Sequence, residues 1–145
     1  MRADVRQTAS AGETERLGAE IAAELRPGSV VLLHGDLGAG KTTLVRGAAR
    51  ALGATEPVTS PTFALAHRYD GDAVRVAHLD LYRLGSAGLS DDDEELIEDE
   101  LGGDVIAFVE WPDPIVEHVR ERTALTVELR HDGDDRRRAE LRWTR

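Results

Sequence analysis

One stretch of the chain contains every residue type that a phosphate-binding loop needs, at the required spacing. It reads Gly35-Asp36-Leu37-Gly38-Ala39-Gly40-Lys41-Thr42-Thr43 and fills the pattern G-x-x-x-x-G-K-[ST] at each specified position. Glycines allow positive φ angles and let backbone N–H groups converge on an anion. A helix that follows would point its positive end at the same anion. The sequence therefore predicts a nucleotide phosphate site built from Gly35, Asp36, Gly38, Ala39, Gly40, Lys41, Thr42 and Thr43.

Two side chains at the end of this loop predict the chemistry of a magnesium nucleotide. Lys41 would place its ammonium group on the β- and γ-phosphates, and the Thr42 hydroxyl would be a ligand of Mg²⁺. Lys41 is the only lysine among the 18 basic residues of the chain. Lysine carries a compact point charge, whereas arginine is better suited to pairing through two N–H groups at once. A single lysine at this position therefore favours a phosphate site over a glycine-rich turn that only caps a helix.

The elements around the loop have the order that such a site requires. Residues 29–33, a serine followed by four apolar residues, predict a strand entering the loop. Residues 41–52 predict a helix of about three turns, which Gly53 ends. The N-terminus of this helix would then face the phosphates.

Carboxylates at the ends of two predicted strands are candidates for holding the metal and the attacking water. The apolar run 105–109 predicts a central strand that ends in Glu110 and resembles a Walker B element. We expect Glu110 to hold Mg²⁺ directly or through water. Asp80 ends the strand predicted over residues 73–80, where it can hold the metal or orient water; capping a turn is the less favoured alternative. His78, on the same face, is expected to be structural.

A proline-bounded loop and a tryptophan each have two interpretations. Residues 56–63 contain two prolines, which exclude a helix, and Thr62 can act there as a switch that senses the γ-phosphate. A local turn in which Ser60 or Thr62 bonds only to the backbone explains this loop equally well from position alone. Trp111 is interpreted as a core aromatic, with an edge that faces the nucleotide or a partner as the alternative.

The first half of the chain also predicts a helix and a hairpin. Ser10 and Glu13 have the spacing of a capping box, and the helix they open should pack on the sheet before the first strand. Residues 9–14 can also reach the nucleotide base, although capping is the favoured role. Residues 63–69 and 73–80 predict two antiparallel strands joined by a turn.

The second half predicts an acidic helix and a terminal hairpin. Residues 90–101 read as a helix rich in carboxylates, interpreted as a solvated face, with docking of a basic partner as the alternative. Alternating apolar residues in 125–129 and 139–143 predict two strands. The arginines at 136–138 are expected to be solvated, or else to steer tRNA or an acidic surface. Together these elements predict an α/β fold of three layers, with helices on a mixed central sheet that includes an antiparallel hairpin and the C-terminal strands.

Length, charge and composition restrict the class of protein. The 145 residues are expected to form a single domain, residues 1–145. The chain has no cysteine, and no apolar stretch resembles a signal peptide or a membrane span, so we expect a cytoplasmic protein without a membrane partner. A formal net charge of -10 argues against a protein that holds nucleic acid by itself. Any link to RNA should therefore run through a partner.

Four short blocks resemble one family when they are taken together. They are residues 35–43, Ser60-Pro61-Thr62-Phe63, the block from His78 through Asp80, Tyr82 and Arg83 to Leu84, and Val109-Glu110-Trp111-Pro112. In this order the sequence resembles the bacterial TsaE (YjeE) ATPase family. The resemblance implies a small P-loop NTPase fold, ATP and Mg²⁺ as cofactors, and TsaD and TsaB as partners in making threonylcarbamoyladenosine on tRNA. It also implies roles for Thr42 and Glu110 around Mg²⁺, for Asp80 in hydrolysis and for Thr62 in a switch loop.

Two other functions remain open at this point. The phosphate loop and the small size are also typical of a small-molecule kinase that transfers the γ-phosphoryl group of ATP, although no arginine-rich lid is apparent. A nucleotide-gated binding module would need the same loop without depending on hydrolysis. The acidic helix departs from the resemblance, since related chains usually carry fewer charges there.

Overall fold

The fold is known for residues 2–58, 66–87 and 89–144, which the computed structural model describes. Along the chain they form β1 (Arg2–Thr8), α1 (Ala11–Ala22), β2 (Val30–His34), α2 (Lys41–Ala51), β3 (Ala66–Asp70), β4 (Arg75–Asp80), α3 (Asp91–Glu100), β5 (Ile106–Glu110), β6 (Thr123–His131) and β7 (Arg137–Trp143). Short 3-10 turns lie at Tyr82–Ala87, Asp113–Ile115 and Arg120–Arg122. The strands form a seven-stranded sheet in the order β1-β7-β6-β2-β5-β4-β3.

The centre of the sheet is parallel and its borders are antiparallel. Strand β2 pairs in parallel with β5 and β6, and β4 pairs in parallel with β5. The β3–β4, β6–β7 and β1–β7 pairs are antiparallel. The predicted α/β fold with a mixed sheet is therefore confirmed. Because parallel strands share one carboxyl edge, the chain segments that follow β2, β4 and β5 all leave the sheet at the same side.

Alternation along the strands divides the apolar residues between two layers. In β5, Ile106 and Phe108 face the layer that contains α1 and α2, whereas Ala107 and Val109 face the layer that contains α3. All of β5 is buried, which explains why its sequence is a continuous apolar run. Burial of one such Ile, Val or Phe side chain contributes about 1.5–3 kcal/mol. The strand that presents Glu110 is thus held from both faces.

Helices α1 and α2 approach each other closely at two glycines. A β-carbon at Gly18 would lie 2.1 Å from the Leu44 carbonyl oxygen, and one at Gly47 would lie 1.8 Å from the Glu15 carbonyl oxygen. Either contact would force the two backbones apart, at a cost of about 1–3 kcal/mol or more. The crossing therefore fixes the position of α2, whose first residue is Lys41.

Two predictions about the elements need correction or restriction. The predicted helix does not precede the first strand, because β1 comes before it and pairs with β7 at the border of the sheet. Most of β1 is exposed, so its sequence lacks an alternating apolar face. The strand predicted over residues 63–69 is observed at Ala66–Asp70, and residues 59–65 lie outside the described residues.

The predicted cap at Ser10 is present, and Ser90 caps the acidic helix in the same way. The Ser10 hydroxyl accepts a hydrogen bond from the Glu13 N–H at 3.2 Å, and the Ser90 hydroxyl accepts one from the Asp93 N–H at 3.1 Å. In α3 the Asp93 carboxylate also accepts a hydrogen bond from the Ser90 N–H, which completes a capping box. Within the described ranges, no helix combines the length and apolar character needed to cross a bilayer.

Candidate functional site

A cavity of about 300 Å³ opens at the carboxyl edge of the sheet, and most of the predicted residues meet there. Its lining consists of Leu37, Gly38, Ala39, Gly40, Lys41, Thr42, Thr43, Asp80, Glu110, Trp111 and Arg137. The remaining predicted loop residues, Gly35 and Asp36, line an adjoining cavity of about 380 Å³ together with residues of β6. Thr62 lies outside the described residues. The segments after β2, β4 and β5 therefore build one phosphate-loop cavity.

A larger cavity elsewhere in the molecule is not the candidate phosphate site. It measures about 510 Å³ and lies at the opposite edge of the sheet, where Ser29 precedes β2 and Thr123 begins β6. None of the residues predicted to bind nucleotide or metal lines this cavity. Since the glycine-rich loop and the N-terminus of α2 are at the other edge, we assign the candidate site to the phosphate-loop cavity.

Two glycines of the loop hold backbone conformations that a side chain would oppose. Gly40 caps α2 with φ +100°, and Gly35 has φ +146°. A β-carbon at Gly35 would also lie 2.5 Å from the Leu129 carbonyl oxygen. Glycine at these positions lets the loop turn into α2 beside β6.

The Lys41 side chain is buried inside the loop that it terminates. Only 4% of the residue is exposed, and its ammonium group donates hydrogen bonds to the carbonyls of Gly35 and Asp36. Its Nζ lies 4.1 Å from the ring centroid of Trp111. Burial lowers the pKa of Lys41 below its ordinary value of 10.5, and the nearby carboxylates of Glu110, Asp80 and Asp36 oppose this shift. A phosphate in the cavity would stabilise this partly desolvated charge.

One carboxylate oxygen of Glu110 contacts two residues from other elements, Thr42 of α2 and His78 of β4. The Thr42 hydroxyl donates to Glu110 Oε2 at 3.0 Å, and His78 Nε2 lies 2.5 Å from the same oxygen. An ionised carboxylate can only accept hydrogen bonds, so Nε2 is the donor in this pair. His78 is fully buried, as expected of a structural histidine, and its partner is the predicted metal-binding carboxylate. Threonine and histidine together orient Glu110.

Asp80 lines the phosphate-loop cavity and also caps the turn that follows its strand. It lies beside Glu110 in the parallel register of β4 and β5, and it lines the phosphate-loop cavity. Its Oδ1 also accepts a hydrogen bond from the Tyr82 N–H at 3.0 Å, so it caps the turn that follows the strand. The turn orients the carboxylate without removing it from the cavity.

Trp111 is not simply a core aromatic, contrary to the favoured interpretation of its sequence position. It lines the cavity beside Lys41, and its ring centroid lies 4.8 Å from that of Tyr82. Its φ of +55° is uncommon for a residue with a large side chain. With this backbone conformation the indole lies at the phosphate loop. The sequence pattern did not indicate the positive φ.

Arg137 was not predicted to lie in the cavity, because its arginine run was expected to be solvated. Its Nη2 donates to the Gly38 carbonyl at 3.2 Å. One signal was present in the sequence. The buried residues Ala139, Leu141 and Trp143 alternate along β7, and the same period places Arg137 on their face of the sheet, at the edge where the loop lies.

The chain is similar to a named family over nearly its whole length. A family model described as "Threonylcarbamoyl adenosine biosynthesis protein TsaE" matches residues 8–139. A protein named tRNA threonylcarbamoyladenosine biosynthesis protein TsaE from Bacillus subtilis (strain 168) is 37% identical over 132 residues, which cover 90% of this chain and 80% of that protein. A protein of the same name from Streptomyces coelicolor is 47% identical over 107 residues, covering 72% of this chain and 71% of that protein.

A solved structure gives the same result for the fold. The crystal structure of YdiB from Bacillus subtilis matches with a TM-score of 0.74 at 29% sequence identity, and the match covers 97% of this chain and 84% of that chain. The similar region includes the phosphate loop and the strands that present Asp80 and Glu110. With this fold and this match across residues 8–139, the chain belongs to the TsaE family and has its P-loop NTPase fold.

Proposed function

We propose that this chain is a Mg²⁺-dependent ATPase that supports the formation of threonylcarbamoyladenosine on the adenosine beside the tRNA anticodon. The observation that carries the proposal is the 3.0 Å hydrogen bond from the Thr42 hydroxyl to Glu110. It joins the last part of the phosphate loop to the carboxylate at the end of β5, which is the pairing that a metal-nucleotide site needs. Family membership supports the biosynthetic role, because the relatives are named for that pathway.

The residues of the cavity fit a magnesium ion that is bound mainly through its nucleotide. Thr42 would be a direct ligand through its oxygen while it donates its hydrogen to Glu110, and Glu110 would hold the metal through water. Among the described residues, no group of three or more His, Cys, Asp or Glu side chains could hold a metal by itself. Mg²⁺ usually keeps several water and phosphate ligands, so this donor set suits it. When bound, the ion would neutralise charge on the β- and γ-phosphates.

The chain's own groups have separate tasks in the proposed hydrolysis. Backbone N–H groups from Gly38 to Thr43 bind phosphate oxygens, and Lys41 leaves the loop carbonyls to reach the β- and γ-phosphates. Asp80 accepts a hydrogen bond from the attacking water and orients it. Thr62 remains our predicted switch residue, which would order its loop when the γ-phosphate is present.

We further propose that the protein acts in the cytoplasm as a single domain, residues 1–145, with TsaD and TsaB. The net charge of -10 favours contact with tRNA only through those partners. Its ATPase turnover should be slow alone and should rise when a TsaD–TsaB pair is added.

The test follows both the released phosphate and the modified nucleoside. Purified protein is given ATP labelled at the γ-phosphate, with and without TsaD, TsaB and tRNA, and then with Asp80→Ala in its place. We expect label in inorganic phosphate, stimulation by the pair, and loss of threonylcarbamoyladenosine formation with the variant despite retained ATP binding. Label on an added metabolite would instead establish a kinase. Full modification by Asp80→Ala would establish a nucleotide-gated binding module.

A further inference from the structure

Arg137 places a fixed guanidinium group on the phosphate loop. Its Nη1 donates to the carbonyls of Asp134 at 3.2 Å and Arg136 at 2.9 Å, which holds the side chain against its own hairpin turn. Its Nη2 donates to the Gly38 carbonyl at 3.2 Å. These bonds connect the start of β7 to the loop and restrict the side chain before any ligand binds.

The charge of Arg137 is not matched by its contacts. All three acceptors are neutral carbonyls, and no carboxylate of the described residues forms an ion pair with it. Its Nε is buried, and no described residue accepts its hydrogen. By contrast, Arg138 on the opposite face of β7 lies 3.8 Å from Glu140. A restrained arginine with an unpaired N–H beside a phosphate loop is suited to an anion.

The strand order indicates which part of a nucleotide this arginine would meet. Glu110 and Asp80 are on one side of β2, at the ends of β5 and β4. Arg137 is on the other side, where β6 separates β7 from β2. Under the proposed function, Thr42 and Glu110 would hold the metal and neutralise the terminal phosphates from one side of the loop, so the other side would meet the α-phosphate. A β-carbon at Gly40 would lie 3.7 Å from Arg137 Nε, so this nitrogen is adjacent to the loop backbone that cradles the α- and β-phosphates.

We propose that Arg137 is a nucleotide-binding residue that donates to the α-phosphate of the bound nucleotide. Its Nε and the second hydrogen of Nη2 form the pairing edge of the guanidinium fork. The proposal rests on the function proposed above, since it needs a nucleotide in the phosphate-loop cavity. Under this proposal, nucleotide recognition has two parts. Binding of the terminal phosphates depends on Mg²⁺, whereas the contact to the α-phosphate requires neither Mg²⁺ nor a γ-phosphate.

The test measures ADP affinity by calorimetry in EDTA, so that no metal contributes. Arg137→Gln is compared with Arg138→Gln, which makes the same change of charge on the other face of β7. The two diastereomers of ADP with sulfur at the α-phosphate serve as probes, because an arginine on one α-oxygen distinguishes them. We expect Arg137→Gln to bind ADP about 10- to 100-fold more weakly and to lose the preference of the natural chain for one diastereomer. Arg138→Gln should remain within about twofold.

Two measurements keep the outcomes distinct. Thermal unfolding without nucleotide reports whether Arg137→Gln is folded, and Arg137→Lys, which keeps the charge but lacks the fork, should also lose the diastereomer preference. If the natural chain binds no ADP, the phosphate site itself is wrong and the proposed function fails. If the natural chain binds ADP and Arg137→Gln binds it equally well, or keeps the same diastereomer preference, the assignment of Arg137 fails alone.

Discussion

The two sides of the phosphate loop differ in charge and in how they are built. The acidic flank, Asp80 and Glu110, comes from two adjacent parallel strands, and its carboxylates are in register. The basic flank is Arg137, which comes from an antiparallel strand and is held by backbone carbonyls. The acidic flank suits a hydrated cation and the basic flank suits a phosphate. Under the proposed function, the acidic flank would hold the metal and the basic flank would bind the nucleotide.

Lys41 lies between the flanks, and its removal should have the largest effect on both. Lys41→Ala should lower Mg²⁺-ATP affinity about 100-fold, because a buried charge that can pair with two phosphates is lost. Isothermal calorimetry measures this affinity. The control is Arg50→Ala, since Arg50 is an exposed residue of the same helix and pairs with Glu15. Tight Mg²⁺-ATP binding by Lys41→Ala would contradict a phosphate site at this loop.

Glu110→Gln should affect the acidic flank alone. We expect Mg²⁺-ATP affinity to fall about tenfold, because the metal and its waters lose a charged acceptor, whereas ADP affinity in EDTA should stay unchanged. Arg137→Gln, by contrast, should lower the affinity for ADP in EDTA as well. Asp113→Asn is the matched control, since this carboxylate follows β5 with its side chain 89% exposed. An equal loss by Glu110→Gln with and without metal would show that the flanks are not separate.

His78 should have a smaller effect, which it exerts through Glu110. His78→Leu removes the donor to Glu110 Oε2 and should weaken Mg²⁺-ATP binding about fivefold. His78→Gln keeps an N–H donor at a similar reach and should recover most of this loss. Thermal unfolding of both variants without nucleotide separates this positioning role from a general loss of packing. Equal Mg²⁺-ATP affinity in the Leu variant and the natural chain would exclude the role.

Near neutral pH, the pH dependence of ADP binding in EDTA should be slight, and it should become steep only at high pH. Only the ammonium form of Lys41 attracts phosphates, and burial lowers the pKa of this group in the free protein below 10.5. Affinity is therefore full below that lowered pKa and declines as the pH rises through it, with a limiting slope of about tenfold per pH unit. The decline should begin below pH 10.5. Lys41→Arg, which stays charged, should give weaker but pH-independent binding over the same range.

Elements with strong local patterns were predicted close to their observed bounds. The strand predicted at 105–109 is observed at Ile106–Glu110, and the helix predicted at 41–52 is observed at Lys41–Ala51. The first is buried on both faces and the second begins directly after the phosphate loop, so both have clear limits in the sequence. Strand β1 was missed because its stability comes from pairing with β7 and not from an apolar face.

In the candidate site, too, residues with a local sequence pattern were predicted and residues without one were not. Asp80 and Glu110 were predicted because each ends a strand that the sequence pattern marks, and parallel strands bring such ends together. Trp111 was assigned to the core because its positive φ has no local signal. The arginine run looked solvated because charges beside a turn usually are.

The sequence by itself determined the phosphate loop, the two carboxylates and the α/β class, since these depend on spacing and on apolar periodicity within short segments. Only the tertiary structure decided that Thr42 and His78 share one oxygen of Glu110 and that Arg137 lies on Gly38. The Thr42–Glu110 bond joins positions 68 residues apart, and the Arg137–Gly38 bond joins positions 99 residues apart. Such contacts depend on strand order and on the face that each residue occupies, which no local pattern contains.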